Sequence, residues 1–269
     1  MLSFPNCKIN LGLRILRRRD DGYHELETVF YPLPVKDALE TIHSEEPAFS
    51  ATGLPIPGDP STNLCLKAWH LLKKDFPELP AVHIHLHKHI PMGAGLGGGS
   101  ADGAFTLVML NQQFRLGLSS QLLMDYASRL GSDCPFFILN TPCLGGGRGE
   151  ELQPIDLDLS SYRISLVNPG VHIDTAWAFS QISPSDKGRS IRDIIMSPVS
   201  AWNGQLINDF ESPVLRSYPE LNRIKEILYN AGALFASMTG SGSSFFGIFE
   251  KDNPLSEKYI GQLPGFLLT

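Results

Sequence analysis

Long apolar runs are missing from this sequence, and cysteine is scarce. No run approaches the roughly 18 residues of a membrane-spanning helix. The four cysteines are Cys7, Cys65, Cys134 and Cys143, and no two form a C-x-x-C pair. We therefore expect free thiols in a reducing compartment. The N-terminus lacks a basic region followed by an apolar one, so we expect no signal peptide and a cytoplasmic location.

An excess of basic charge is also missing. The net charge is −6, whereas nucleic-acid-binding domains usually carry a basic face. Apolar residues make up 42% and charged residues 19% of the 269 positions, an ordinary globular balance. These values predict a globular protein, and we expect neither nucleic acid nor a membrane as a partner.

Hydrophobic periodicity predicts a mixture of hairpins and helices. The predicted strands cover residues 7–16, 23–33, 82–90, 133–139 and 162–170, with two more apolar runs within 234–249. The predicted helices cover residues 63–74, 101–111, 119–130 and 218–230. Residues 44–61 are rich in Pro, Gly and Ser and predict a loop. We expect an α+β protein of two domains, 1–152 and 153–269, divided near the glycine cluster at 144–154.

The segment PMGAGLGGGSAD, residues 91–102, is the strongest motif. It differs from a P-loop because no lysine follows its glycines. Gly93, Gly95 and Gly98 match the dinucleotide fingerprint, but no acidic residue stands about 20 positions on. The protein-kinase signatures are absent, since Asp209-Phe210 is followed by Glu211.

The order of strand, proline, glycine loop and helix still favours phosphate binding over a flexible linker. Glycine lets backbone N–H groups approach an anion, and the N-terminus of a helix attracts negative charge. A lysine and an aspartate lie in suitable settings for catalysis. Lys8 lies on the polar face of its strand, and Asp133 follows a helix in a Gly-Ser-Asp turn. The alternatives are a solvent-facing lysine and a turn aspartate that accepts backbone hydrogen bonds.

Three motifs together resemble the GHMP kinase superfamily. They are PNCKINLGL (5–13), the glycine loop, and SMTGSGSS (237–244). The resemblance is most specific at residues 7–30, where Lys-Ile-Asn is followed by Asp-Gly-Tyr-His-Glu-Leu, and it extends to LGSDCPFF and LINDFESPV. It implies a GHMP kinase fold, with an N-terminal domain like ribosomal protein S5 domain 2 and a ferredoxin-like C-terminal domain.

The resemblance also implies an activity. ATP would phosphorylate an alcohol of a cytidine-diphosphate-linked methylerythritol in the non-mevalonate isoprenoid pathway. Asp133 would be the catalytic base and Lys8 its catalytic partner. Two positions depart from the family pattern: Cys7 replaces a common alanine, and Ala101 replaces a common serine. Any hydroxyl that the loop provides must therefore come from Ser100.

The implied substrate contacts are mostly aromatic. Tyr23 and His24 would hold the cytosine, and Phe179 would complete a sandwich, with Trp177 as a nearby competitor. Core packing is the alternative for every one of these rings. The remaining implied substrate contacts are Asn10, Thr175, Asp133, Gly240, Ser241 and Gly242.

The implied ATP contacts come from the glycine loop and one helix start. They are Pro91, Met92, Gly93, Ala94, Gly95, Leu96, Gly97, Gly98, Gly99, Ser100, Ala101 and Asn63. Asn63 can also be a helix N-cap, and both roles are compatible. Mg²⁺ would accompany ATP, and we assign no residue as a metal ligand.

The row His83, His85, His87 and His89 projects from one strand face, and we interpret it as a solvated face rather than a zinc site. Three rival functions remain open at this point. They are a kinase of the same superfamily acting on mevalonate, homoserine or a sugar, a nucleotide-binding regulator without activity, and a nicotinamide-dependent oxidoreductase.

Overall fold

The computed structural model describes residues 1–253, 257–264 and 266–268. The strands are β1 (Leu2–Ser3), β2 (Asn6–Arg18), β3 (His24–Lys36), β4 (Ala38–His43), β5 (Ala48–Gly53), β6 (Val82–Lys88), β7 (Cys143–Gly146), β8 (Glu151–Pro154), β9 (Tyr162–Asn168), β10 (Phe235–Met238), β11 (Phe245–Glu250) and β12 (Phe266–Leu268). The helices are α1 (Leu64–Asp75), α2 (Gly98–Phe114), α3 (Ser120–Leu130), α4 (Cys134–Leu139), α5 (Thr175–Ser180), α6 (Ile191–Ile195), α7 (Glu211–Ser217), α8 (Asn222–Asn230) and α9 (Glu257–Ile260). Antiparallel sheets and interspersed helices confirm the α+β class.

One compact unit is assembled from residues 1–8, 32–92 and 97–141. Its sheet has the order β1-β4-β6-β5, in which β4 is antiparallel and β5 parallel to β6. Helices α1 to α4 belong to this unit. Alternate residues of β6, such as Ile84 and Leu86, are fully buried, because a strand with one covered face directs every second side chain into the core.

The other unit contains residues 9–31, 93–96 and the chain from 142 onward. Its sheet β10-β11-β9-β12 is antiparallel and carries α8 against β10 and β11. Buried residues of the core include Phe210, Ile224 and Phe245. Each unit is built from several stretches of chain, so the predicted domains 1–152 and 153–269 stay a prediction.

The prediction of a strand at residues 133–139 is wrong, because this segment forms α4. The run of six apolar residues is too short for its periodicity to separate a helix from a strand. Pro135 stands in the first turn, where a helix needs no N–H donor. Asp133 therefore lies at the N-terminus of a short buried helix.

The prediction of a loop over residues 44–61 is wrong in part, because Ala48–Gly53 forms β5. Ser50 accepts or donates hydrogen bonds at His83 (2.7 Å) and His85 (2.8 Å) on β6, and Thr52 does so at His87 (2.9 Å). His83, His85 and His87 do share one face of β6, and their rings hydrogen-bond to side chains of β5. The strand depends on a partner that its own composition does not reveal.

Other segments agree with the sequence-based elements. Strands β2, β3, β6 and β9 and helices α1, α2 and α3 lie where predicted, and Ser119 caps α3 with Gly131 at its end. The glycine cluster at 144–154 forms the hairpin of β7 and β8. All four cysteines are buried, and none forms a disulfide, as expected. Among the described residues, no helix is long and apolar enough to cross a membrane.

The contact between β5 and β6 yields a stability prediction. Gly53 has φ +83°, and a Cβ there would lie 2.2 Å from the Lys88 carbonyl oxygen, which accepts a hydrogen bond from the Leu54 N–H. Gly117 has φ +73° with open space around it. Gly117→Ala should cost about 1 kcal/mol through backbone strain alone. Gly53→Ala should cost about 3 kcal/mol or more, because the strand must also shift.

Urea unfolding of both variants measures this difference in the free energy of unfolding. Equal losses for Gly53→Ala and Gly117→Ala would contradict the close contact.

Candidate active site

Three glycines of the loop hold conformations that other residues rarely adopt. Gly93, Gly95 and Gly97 have φ values of +63°, +77° and +70°. Gly97 stands at the N-cap of α2 in the left-handed region. Glycine adopts these left-handed conformations without steric cost, whereas a residue with a Cβ would be strained there.

The loop also requires a bare backbone at Gly95. A Cβ at Gly95 would lie 2.1 Å from the carbonyl oxygen of Thr239, in the third motif. The Thr239 hydroxyl donates to the Gly95 carbonyl over 3.2 Å, and Gly240 packs against Gly95. The glycine loop and the third motif thus meet at this position.

Helix α2 begins directly at the loop and presents its positive end there. The Ala101 N–H donates to the Gly97 carbonyl over 2.9 Å. The N–H groups of Gly98, Gly99 and Ser100 precede this first helical bond and have no acceptor within the helix. Together with the dipole of a 17-residue helix, they form a site suited to a phosphate group.

Lys8 and Asp133 form an ion pair. The distance from Lys8 Nζ to Asp133 Oδ2 is 3.3 Å. The Lys8 side chain is 4% exposed and that of Asp133 is 32% exposed, so the solvent-facing alternative for Lys8 is wrong. Asp133 makes no side-chain capping bond to α4, which leaves its carboxylate to Lys8 and to a ligand.

Lys8 also packs against the end of the glycine loop. A Cβ at Gly97 would lie 3.0 Å from Lys8 Cε and 2.9 Å from Phe137. Because Gly97 has no side chain, the Lys8 side chain can pass close to the start of α2. On α4, the buried Cys134 thiol, whose pKa burial raises to about 12, hydrogen-bonds to the Ser100 hydroxyl.

Asn10 is buried and does not lie on a wet strand face. It is 2% exposed, and its Nδ2 donates to the Thr28 hydroxyl over 2.9 Å. Its backbone N–H donates to the Thr239 hydroxyl over 2.9 Å. A direct substrate contact by Asn10 stays a prediction.

Two of the predicted aromatic residues, His24 and Phe179, lie in contact. The rings of His24 and Phe179 stack with centroids 5.0 Å apart and an interplanar angle of 18°. Trp177 instead packs edge-on against Tyr218 at 6.0 Å. Burial, and then the positive charge of Arg18, lower the pKa of His24 below its ordinary value. His24 is therefore neutral at pH 7 and offers one donor and one acceptor nitrogen.

Tyr23 is 55% exposed and has a partner that the sequence analysis did not identify. The guanidinium carbon of Arg148 lies 4.7 Å from the centre of the Tyr23 ring. Arg148 comes from the turn between β7 and β8, within the glycine cluster interpreted as a domain boundary. Two short runs on either side of the glycines are typical of a hairpin, and this pattern could have indicated that Arg148 lies in a turn.

Two further predicted residues meet in the same unit. The hydroxyl oxygens of Thr175, at the start of α5, and Ser241, in the third motif, lie 3.3 Å apart. Thr175 is exposed, and Asp174 caps its helix. This places a pair of hydroxyl groups beside the third motif.

Asn63 has the capping role that the sequence allowed. Its Oδ1 accepts a hydrogen bond from the Cys65 N–H over 2.9 Å at the start of α1. Asn63 also lines a cavity of about 350 Å³, together with β5, Met92, Gly99 and Asp102. This volume lies within the range of small-molecule sites.

Two family models match this chain. Residues 63–141 match the GHMP kinases N terminal domain, and residues 197–259 match the GHMP kinases C terminal family. The chain belongs to the GHMP kinases. It is a kinase that uses ATP. The alternative of a nicotinamide-dependent oxidoreductase is therefore wrong.

Similar proteins indicate which kind of GHMP kinase this chain is. A protein from Bacteroides fragilis named 4-diphosphocytidyl-2-C-methyl-D-erythritol kinase is 50% identical over 261 residues, covering 96% of this chain and 95% of the relative. One of the same name from Parabacteroides distasonis is 47% identical over 260 residues, covering 97% and 96%. A crystal structure of 4-(cytidine 5'-diphospho)-2C-methyl-D-erythritol kinase has a TM-score of 0.81 at 31% identity, covering 99% of this chain and 97% of that one. The chain thus falls within the 4-diphosphocytidyl-2-C-methyl-D-erythritol kinase family, as the motifs implied.

Proposed function

We propose that this kinase transfers the γ-phosphoryl group of ATP to the 2-hydroxyl of 4-diphosphocytidyl-2-C-methyl-D-erythritol. The observation that carries the proposal is the ion pair of Lys8 and Asp133, held beside Gly97 of the glycine loop. A buried lysine, a partly exposed carboxylate and an anion site at a helix N-terminus are the parts that phosphoryl transfer to an alcohol requires.

In this mechanism the Asp133 carboxylate accepts the proton of the 2-hydroxyl. The hydroxyl oxygen forms a bond to the γ-phosphorus of ATP, and the bond from that phosphorus to the β–γ bridging oxygen breaks, which releases ADP. Lys8 orients the Asp133 carboxylate through their ion pair and offsets negative charge that develops at the transferred group. The N–H groups at the start of α2 hold the phosphates.

The adenosine part of ATP would occupy the 350 Å³ cavity, whose lining includes Asn63 and Gly99. Mg²⁺ would accompany the phosphates and reduce their charge. No group of three or more His, Cys, Asp or Glu side chains in the described part of the chain could hold a metal ion.

The cytosine would bind at the aromatic residues around His24. A ring cannot lie between His24 and Phe179 at a separation of 5.0 Å, since two stacking distances of about 3.5 Å are needed. We infer that the base takes the place of the His24 ring on Phe179, while the neutral His24 turns to hydrogen-bond its edge. Arg148, beside Tyr23, offers positive charge for the diphosphate.

A cytoplasmic location and independence from nucleic acids and membranes also remain proposals. Four buried cysteines that form no disulfide support a reducing compartment.

The substrate assignment predicts a selective activity. Purified protein with Mg-ATP should release ADP when 4-diphosphocytidyl-2-C-methyl-D-erythritol is present, and not with mevalonate, homoserine or galactose. These three alcohols have no base to stack on Phe179. A coupled assay for ADP measures the rates. Turnover with one of the other alcohols alone would contradict the substrate assignment.

The base assignment predicts a large effect on turnover. Asp133→Asn should lower kcat by about 10²- to 10⁴-fold, because the amide cannot accept the hydroxyl proton. Nucleotide affinity should change far less. Asp125→Asn, at an exposed position on α3, serves as the matched control. Equal losses of turnover and ATP affinity in Asp133→Asn would contradict the role of Asp133 as base.

The aromatic assignment predicts different results for two neighbouring residues. Phe179→Leu should raise KM for the cytidine substrate about 5- to 100-fold, since stacking on a base contributes about 1–3 kcal/mol. Trp177→Leu should lower thermal stability by removing the Tyr218 contact but leave KM nearly unchanged. A raised KM in Trp177→Leu alone would assign the stacking to Trp177.

A further inference from the structure

Three charged side chains are buried together beneath the start of α2. Lys88, at the end of β6, lies between Asp37 and Asp102, and its Nζ is 2.7 Å from Asp102 Oδ2. The exposed fractions of these side chains are 0% for Lys88, 0% for Asp37 and 4% for Asp102. The proposed catalytic mechanism uses none of them.

The carboxyl groups of Asp37 and Asp102 differ in their hydrogen-bond partners. Asp37 Oδ1 accepts hydrogen bonds from the N–H groups of His89 (2.6 Å) and Ile90 (2.8 Å), and Oδ2 contacts Lys88. Asp102 Oδ1 is buried and has no hydrogen-bond partner. Asp37 is thus satisfied as a carboxylate, whereas Asp102 is not.

The charges of this cluster do not balance when both carboxyl groups are ionised. One ammonium then faces two carboxylates, and one negative charge remains out of water without compensation, which is costly. Burial, and then the charge of Asp37, raise the pKa of Asp102 to about 7 against the opposing effect of Lys88. Cys65 of α1 also faces Asp102, and its thiol stays neutral because burial raises its pKa.

The other titratable groups of elements packed on α2 lie elsewhere. Glu40 of β4 is exposed, Tyr126 and Arg129 of α3 contact Asp75, and Cys134 of α4 hydrogen-bonds to Ser100. Lys88 and Asp37 are therefore the charged groups that set the environment of Asp102.

Asp102 is also close to the proposed nucleotide site. It lies on α2 about one turn after Gly98, the first residue of the helix, and it lines the cavity that contains Asn63 and Gly99. Gly98 packs on the cluster, since a Cβ there would lie 3.0 Å from Lys88 Nζ. Negative phosphates at this helix start would disfavour the ionised form of Asp102.

We propose that Asp102 takes up a proton from water when a nucleotide binds at the glycine loop. The new O–H bond forms on the Asp102 carboxyl group, and Lys88 and Asp37 remain as a balanced ion pair. The proposal rests on the proposed nucleotide site, and it assigns Asp102 as a positioning residue rather than a catalytic one.

The sign of the pH dependence follows from linkage. Well below pH 7, Asp102 already carries its proton, so binding takes up none. Above that value, binding must supply the proton, and nucleotide affinity falls as pH rises, by at most about tenfold per pH unit. An Asp102→Asn variant carries no such proton and should lack this part of the pH dependence.

Isothermal titration with MgADP tests the proposal on the full-length protein. Titrations between about pH 7 and 8 in PIPES, HEPES and Tris give the number of protons taken up from the dependence of the heat on the ionisation enthalpy of the buffer. Wild type and the exposed control Asp125→Asn should take up a fraction of a proton that Asp102→Asn does not. Ionisation of ADP itself is the same in all three proteins, so the difference isolates Asp102.

Each outcome decides the question. Equal proton uptake by wild type and Asp102→Asn, or none by either, would overturn the proposal. Absence of MgADP binding to wild type would overturn the nucleotide site itself. If Asp102→Asn fails to fold, the infrared difference spectrum of wild type with and without MgADP decides instead. A new carboxylic-acid carbonyl band supports the proposal, and its absence contradicts it.

Discussion

The buried ion pair of Lys88 and Asp37 fixes the point from which the glycine loop departs. Asp37 accepts the N–H groups of the two residues that precede Pro91, and it holds the ammonium at the end of β6. Charges out of water persist only when their partners are complete, so this junction cannot shift without exposing one of them. This ion pair therefore sets the position of the loop and of the first turn of α2.

The packing of the glycine loop depends on two positions that have no side chain. Gly97 admits Lys8 beside the start of α2, and Gly95 admits the Thr239 carbonyl. In both cases a Cβ would meet an atom at 3.0 Å or less, and a positive φ excludes most other residues. The loop can therefore offer its N–H groups to phosphate while the neighbouring chain packs closely around it.

Local patterns predicted much of the fold, and the family resemblance gave Lys8 and Asp133 roles that stay predictions. Alternation identified β2 and β6, and capping residues identified α1 and α3, because these signals depend on neighbours in sequence. Helix α4 was predicted as a strand because six apolar residues have no readable period. Strand β5 was missed because it is formed by pairing with β6, a strand about 30 residues further along the chain. Arg148 was missed because only the hairpin brings it over Tyr23.

The sequence by itself determined the family, through three motifs whose residue types and spacing are specific, and it predicted Lys8 and Asp133 as a catalytic pair. Only the tertiary structure decided that Lys8 is buried, that Phe179 rather than Trp177 stacks on His24, and that Asp102 is a buried carboxyl group with one unpartnered oxygen. The physical reason is that burial and pairing depend on residues far apart in the chain. A sequence pattern reports the chemistry of each group, and the folded chain sets the charges and solvent that surround it.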